Sequence, residues 1–382
     1  MNTFQAVTRT RRAGSQPQLI SPCWLFLFLI LAFGACKQSH RPPAREVNHR
    51  DVAAHLQNVV ATAGGFQIWI KHPSRFQSRQ SPESSLHVIA TPAGYSAVLS
   101  ALRAEAAKEK LELVNTASSG EGEAHRVNLL VREHGRLVIQ VNLREVPRLL
   151  RAAIVIDDMG HDPEVAHKLL ALDYPLTFSV LPHLRYTAAT AEAIHRSGRE
   201  VMLHLPMEPE PGSHTVPGEG AVLVGMSAEQ VRTIVQGDLD SVPYVVGVNN
   251  HMGSRATQSA ALMADLMRVL KERRLYFIDS RTTAETAALE AARREGLPAF
   301  YRAVFLDDTE TVPYTLGQLE SFRHKVEQEG VALAIGHPHA TTVAALARFL
   351  PELERADIEL VAPSQIVRLP EIARLDPRSR TK

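Results

Sequence analysis

Ala152-Ala153-Ile154-Val155-Ile156-Asp157-Asp158-Met159-Gly160 decides the fold. An unbroken run of small and β-branched apolar residues predicts a strand buried on both faces, and two adjacent carboxylates at its end are costly to bury unless something there uses them. The end of this strand is the expected lip of an active site.

Outward from it the pattern recurs. Leu176-Thr-Phe-Ser-Val-Leu runs into Pro182-His183, Val201-Met-Leu into His204, and Val245-Val-Gly-Val into Asn249-Asn250-His251. Leu275-Tyr-Phe-Ile ends in Asp279-Ser280-Arg281, Ala303-Val-Phe-Leu in Asp307-Asp308, Val331-Ala-Leu-Ala-Ile in Gly336-His337-Pro338-His339, and Ile358-Glu-Leu-Val in Pro363-Ser364. Seven of these eight runs finish in acids or imidazoles. Strands alternating with helical patterns argue an α/β fold with a parallel sheet. Repeats of roughly 25 to 30 residues suit a TIM-like (β/α) barrel, whose chemistry sits at the carboxyl ends of its strands.

Helix signals fill the intervals. Ser227 with Gln230 forms a capping box, Thr257 opens an amphipathic stretch reaching Arg274, and Gly198, Gly296 and Gly330 stand where helices should stop. The long connection from Glu208 to Gly225 interrupts the repeat after His204, as loops that cover or shape a site do.

The 382 residues carry 42 basic and 41 acidic side chains, a balance that gives no reason to expect nucleic acid. Arg9, Arg11 and Arg12 precede an apolar run from Cys23 to Phe33 and then Gly34-Ala35-Cys36, which is the layout of an export signal. Leu31-Ala-Phe-Gly-Ala-Cys36 resembles the bacterial lipobox, with Phe33 as a departure, and implies lipidation at Cys36; a plain secretory signal and an uncleaved anchor are the alternatives. The expected organisation is a signal over 1–36, a tether over 37–51, a small accessory α+β domain over 52–147, the barrel over 148–370 and a disordered tail over 371–382. The expected location is the periplasm or cell envelope, with membrane contact only through the N-terminal anchor.

A divalent metal of the zinc kind takes imidazole nitrogen and carboxylate oxygen and keeps one position open when catalytic. Asp158, His204 and His251 supply such a set from three strand ends, with Asp157 beside them and His337 and His339 on a strand that the barrel returns to the first. That equipment suits hydrolysis of an amide or ester.

Ile154-Val-Ile-Asp-Asp-Met-Gly, His204-Leu-Pro-Met-Glu-Pro, Val248-Asn-Asn-His-Met-Gly-Ser, Phe277-Ile-Asp-Ser-Arg-Thr and Ala334-Ile-Gly-His-Pro-His together resemble the divergent polysaccharide deacetylase family over about Arg151 to Leu369. The resemblance implies a deformed barrel of the NodB type and metal-dependent removal of acetyl groups from a glycan. It also implies Asp157 as general base, Asp158 and His204 as metal ligands, His337 as the acid for the leaving group and Asp279 as the residue orienting His337. Four residues after His204, where the pattern of ordinary polysaccharide deacetylases has a second histidine, stands Glu208; His251, at a strand end, is the expected third ligand. Asn250, Ser280, Arg281, His339 and Glu208 are candidates for contacts with substrate or with the ligands.

Each of these residues has a plainer reading. Asp157 could cap a helix, His204 and His251 could be core histidines, Asn249 and Asn250 turn formers, and Arg281 could pair with Asp307 or Asp308. Two other functional classes stay open: a catalytically silent envelope binding or assembly protein, and another metal-dependent amidase or phosphoesterase.

Overall fold

A computed structural model describes residues 49–63, 66–71, 85–118, 125–212 and 216–368. The expected signal, its Cys36, most of the tether and the tail lie outside the described residues.

The first sheet and its helices comprise α1 (His49–Thr62), β1 (Phe66–Lys71), β2 (Ser85–Ala90), α2 (Pro92–Glu109), β3 (Glu112–Ser118), β4 (Arg126–Glu133) and β5 (Arg136–Glu145). Its strand order is β1-β2-β5-β4-β3, with β2 and β5 parallel and the other pairs antiparallel. β4 and β5 form the hairpin that their alternating residues predict, turning at His134-Gly135, both with positive φ. Val88, Val98, Leu102, Ile139 and Val141 fill the core between this sheet and its helices.

The second sheet comprises β6 (Leu150–Met159), β7 (Thr177–Val180), β8 (Val201–Met207), β9 (Val245–Met252), β10 (Tyr276–Asp279), β11 (Ala299–Tyr301), β12 (Val304–Phe305), β13 (Val331–Gly336) and β14 (Ile358–Leu360). The connecting helices are α3 (Pro163–Leu170), α4 (Thr187–Arg196), α5 (Ala228–Ser241), α6 (Ala260–Glu272), α7 (Ala288–Glu295), α8 (Val312–Glu329), α9 (Ala340–Arg355) and α10 (Pro363–Ile366). All eight apolar runs form strands, and β11 is a ninth. Every pairing is parallel, in the order β11-β10-β9-β8-β7-β6-β13-β12, with β14 beside the start of β6.

The ring is a curled, open version of the expected barrel. Among the described residues β11 and β12 do not pair; the two-residue link Arg302-Ala303 carries the chain across the seam from one edge strand to the other. Two residues leave no room for a helix or for in-register pairing, so the seam is bridged by the chain itself.

Caps place the helix ends. Asp162 caps α3, the Ser227–Gln230 box caps α5, and Gly296 and Gly330 close α7 and α8 in the left-handed region. The stretch expected to start at Thr257 begins later: Ala256–Gln258 is a short 3₁₀ turn, and Ser259 caps α6. Thr257 instead donates its hydroxyl to the Gly253 carbonyl.

Strand parity positions the site. Along β6, Ala152, Ile154 and Ile156 face the helices while Ala153 and Val155 face the interior of the curl. The interior set includes Met202 of β8, Tyr276 and Ile278 of β10, and Leu333 and Ile335 of β13. Two residues beyond these anchors come Asp157, His204, Ser280 and His337. The same period brings them to the open mouth.

Candidate metal and catalytic site

Asp157 continues the inward parity of β6, whereas its neighbour Asp158 should point the other way. Asp158 instead has φ +54, and the pairing of β6 with β7 shifts register between Ile156 and Met159. This irregularity turns a second carboxylate into the mouth.

Asp158 Oδ1 lies 3.1 Å from His204 Nε2 and 3.0 Å from His251 Nδ1, and those two nitrogens are 3.1 Å apart. Donor atoms about 2.1 Å from one ion, at angles from octahedral to tetrahedral, are separated by about 3.0 to 3.4 Å, so the triangle has the dimensions of three ligands on one face of a metal. Asp158 Oδ1 is buried and, despite the short distances, has no hydrogen bond of acceptable angle. Such an orphaned acceptor aimed at two ring nitrogens fits a cation.

Burial opposes ionisation of Asp158, but contact with His204 and His251 outweighs it and holds the carboxyl well below the ordinary range. For His204, burial disfavours the charged ring, and the Asp157 and Asp158 carboxylates more than compensate, raising its pKa.

Asn249, fully buried within β9, organises the layer beneath. Its amide nitrogen donates to both Asp157 oxygens at 2.8 and 3.0 Å, so its oxygen must face the other way, toward His204 Nδ1 at 2.9 Å. His204 therefore donates from Nδ1 and presents the Nε2 lone pair to the triangle. The Ser179 hydroxyl also donates to the Asn249 oxygen. Asp157 is only 3% exposed, 3.7 Å from His204 Nε2, and burial pushes its carboxyl above the ordinary range. It caps no helix; that task falls to Asp162.

His337 stands across the mouth, its Nε2 3.9 Å from Asp158 Oδ2. Its Nδ1 is 3.0 Å from Asp307 Oδ1, while Asp307 Oδ2 accepts the His337 backbone N–H at 2.6 Å and the Thr342 hydroxyl at 2.7 Å. Burial disfavours the charged ring, but the Asp307 hydrogen bond and the Asp157 charge prevail, and the pKa is pushed up to about 9.

The expectation that Asp279 orients His337 is corrected: Asp307 does so. Asp279 has the parity of Phe277, which packs toward the helices, and no irregularity turns it inward. Its carboxylate accepts the Arg281 N–H and the Thr286 hydroxyl, both at 2.9 Å.

The other candidates are dispersed. Glu208 accepts the Val224 N–H at 2.6 Å and pairs with Arg255 at 2.5 Å, away from the triangle. Asn250 accepts the Ser280 N–H at 2.9 Å, joining the ends of β9 and β10. His339 lies 3.5 Å from Glu310, its ring 5.9 Å from that of His337. Arg281 pairs with neither Asp307 nor Asp308 but lies over the Tyr301 ring, 3.7 Å from its centroid. His183, also at a strand end, turns to Asp238 on α5 at 2.7 Å.

A cavity of about 650 Å³ opens over the triangle, and Phe305, Tyr314 and Arg302 join the expected residues in its lining. Asn249 and Asp307 stand at strand ends in the sequence, but the particular partners they take come from the fold; Arg302 is the functional candidate that pattern reading passed over. Strand parity places Asn249 and Asp307 on the inward face.

The sequence profile described as divergent polysaccharide deacetylase matches residues 154–367. Similar proteins include "Uncharacterized protein YibQ" of Escherichia coli K12, 35% identical over 222 residues, which are 58% of this chain and 69% of that one. An uncharacterized protein of Haemophilus influenzae is 34% identical over 218 residues, 57% of this chain and 77% of its own. Among solved structures, the uncharacterized protein ATU2773 of Agrobacterium tumefaciens C58 superposes with a TM-score of 0.55 at 24% identity, covering 57% of this chain and 89% of that one, and so shares the fold.

Proposed function

Since the chain belongs to the divergent polysaccharide deacetylase family, we propose that it is a metal-dependent hydrolase that removes acetyl groups from a polysaccharide of the cell envelope, which it reaches after export directed by residues 1–36. The observation that carries this reading is the triangle of Asp158, His204 and His251 with Asp157 on one side and His337 on the other.

Asp158, His204 and His251 hold the ion. A divalent cation bound there supplies the positive charge that polarises an acyl oxygen and acidifies water. Asp157, aimed by the Asn249 amide and raised by burial above the ordinary carboxylate range, takes the proton from the attacking water. His337, charged at neutral pH and held at Nδ1 by Asp307, delivers a proton from Nε2 to the departing amine or alcohol. Proton acceptor and proton donor thus face the acyl carbon from two sides.

The test is elemental analysis of the purified protein beside His204→Ala and His251→Ala, followed by acetate release from an aryl acetate. About one equivalent of transition metal in the wild type, lost in both variants, together with turnover, is the expected result. Metal without turnover would leave a silent binding protein. No metal after reconstitution would remove the hydrolase reading altogether. The grouping of Asp307, His337 and His339 supports a second reading, a two-metal phosphoesterase, which a stoichiometry near two would favour.

A further inference from the structure

Beside the cavity over the triangle lies a second one of about 720 Å³, and the two share Arg281, Thr282, Arg302 and Ala303 as their common wall. The polarity of the two differs. Asp157, Asp158 and Asp308 give the first an acidic side, whereas the second is lined by Arg281, Arg293 and Arg302 against one acid, Glu290. Glu290 already pairs with Arg293 at 2.9 Å and Arg294 at 3.0 Å.

Arg281 stands on the boundary. It is not glycine, yet it has φ +50, a conformation that costs energy and persists only where the surroundings impose it. They do so from both sides: Asp279 accepts its backbone N–H at 2.9 Å, and Arg302 donates to its carbonyl at 2.7 Å. The Asp279 carboxylate, which the chemistry at the triangle does not use, thus acts to present this residue. The guanidinium carbon lies 3.7 Å from the centroid of the Tyr301 ring, and none of the ion pairs among the described residues involves Arg281. A guanidinium held over an aromatic ring by cation–π attraction still has N–H donors to offer, in a planar fork that matches the two oxygens of a carboxylate.

Taking the hydrolase reading as its basis, we propose that Arg281 anchors a carboxylate of the glycan, so that the substrate class is an acidic acetylated polysaccharide rather than a neutral one. The sugar bearing the acetyl group sits over the triangle, and a carboxylate on that sugar or its neighbour reaches the shared wall. Arg281 is a specificity-determining contact in this arrangement and takes no part in proton transfer.

The test uses matched probes: an O-acetylated oligogalacturonate, its carboxyl methyl ester, and the deacetylated forms of both. Calorimetric binding of the deacetylated pair requires no turnover, so it reads the subsite even if the hydrolase reading fails; acetate release from the acetylated pair reads the same preference in kcat/KM. The acid form is expected to bind about tenfold or more tightly than its methyl ester, with the difference reduced by added salt. Arg281→Gln should bring the ratio close to one, and Arg281→Lys, which keeps the charge but loses the planar fork, should restore only part of it. Equal affinity of the wild type for acid and ester, no binding of either, or a preference that survives in Arg281→Gln would each overturn the proposal. Loss of acetate release from every probe, with the binding preference intact, would instead strike the hydrolase reading and leave the anion subsite standing.

Discussion

The side-chain amide of Asn249 meets both carboxylate oxygens of Asp157, at 2.8 and 3.0 Å, where neither residue is more than 3% exposed. Because the amide oxygen is thereby turned to His204 Nδ1, one residue orients both the proposed base and a proposed ligand. Asn249→Ala should weaken metal affinity about 10- to 100-fold, as loss of a partner behind a ligand does, and should depress turnover even at saturating metal. Competition with a chromogenic chelator measures the first effect; wild-type affinity in the variant would mean that the tautomer of His204 is set elsewhere.

The two adjacent carboxylates should separate cleanly by role. Asp158→Ala removes a corner of the triangle and is expected to abolish metal binding, whereas Asp157→Asn keeps the triangle and is expected to retain metal while losing at least about 100-fold in kcat. Metal content and acetate release measured on the same samples decide it. Equal metal and activity in both variants and the wild type would refute the assignment.

With its pKa pushed up to about 9, His337 carries the proton that its proposed role as donor requires at neutral pH, so activity should fall as pH rises through that region and the ring discharges. Burial lowers this value, and the Asp307 bond is the largest influence raising it. Asp307→Asn offers Nδ1 an amide in place of a carboxylate, which should move the alkaline limb of the kcat profile to lower pH. An unmoved limb in the variant would show that another group controls it.

Gly247 on β9 lies against the Tyr276 ring, and a Cβ there would come within 2.3 Å of two ring carbons. Tyr276 is buried, with its hydroxyl donating to Glu200 at 2.8 Å, so it cannot swing aside without abandoning that bond. Gly247→Ala should therefore destabilise the fold by about 1 to 3 kcal/mol or more in denaturant unfolding. Because Asn249 and His251 follow on the same strand, metal affinity should drop with it. A variant as stable as the wild type would show that the sheet yields at this point.

The sequence by itself determined eight of the nine strands of the second sheet. Its eight apolar runs end in polar residues, and burial on both faces of a parallel sheet leaves no other use for such runs, so Asp157, His204, His251 and His337 were legible as strand-end neighbours. A period of two also places Met202 with His204, Leu333 with His337 and Phe277 with Asp279, which is why Asp279 faces away from His337. Only the tertiary structure decided the exceptions to that period. Asp158 reaches the triangle because a register shift and a positive φ turn it, and no local propensity announces such an irregularity. The pairing of Asp307 with His337 depends on strands 30 residues apart in sequence becoming neighbours, and the place of Asn249 depends on a carboxylate 92 residues before it. The open seam follows from the two-residue link at Arg302-Ala303, a matter of chain length between edge strands. Residue types and spacing carry the period of a strand; contact between distant strands is a property of the folded chain, and the chemistry of the site resides in those contacts.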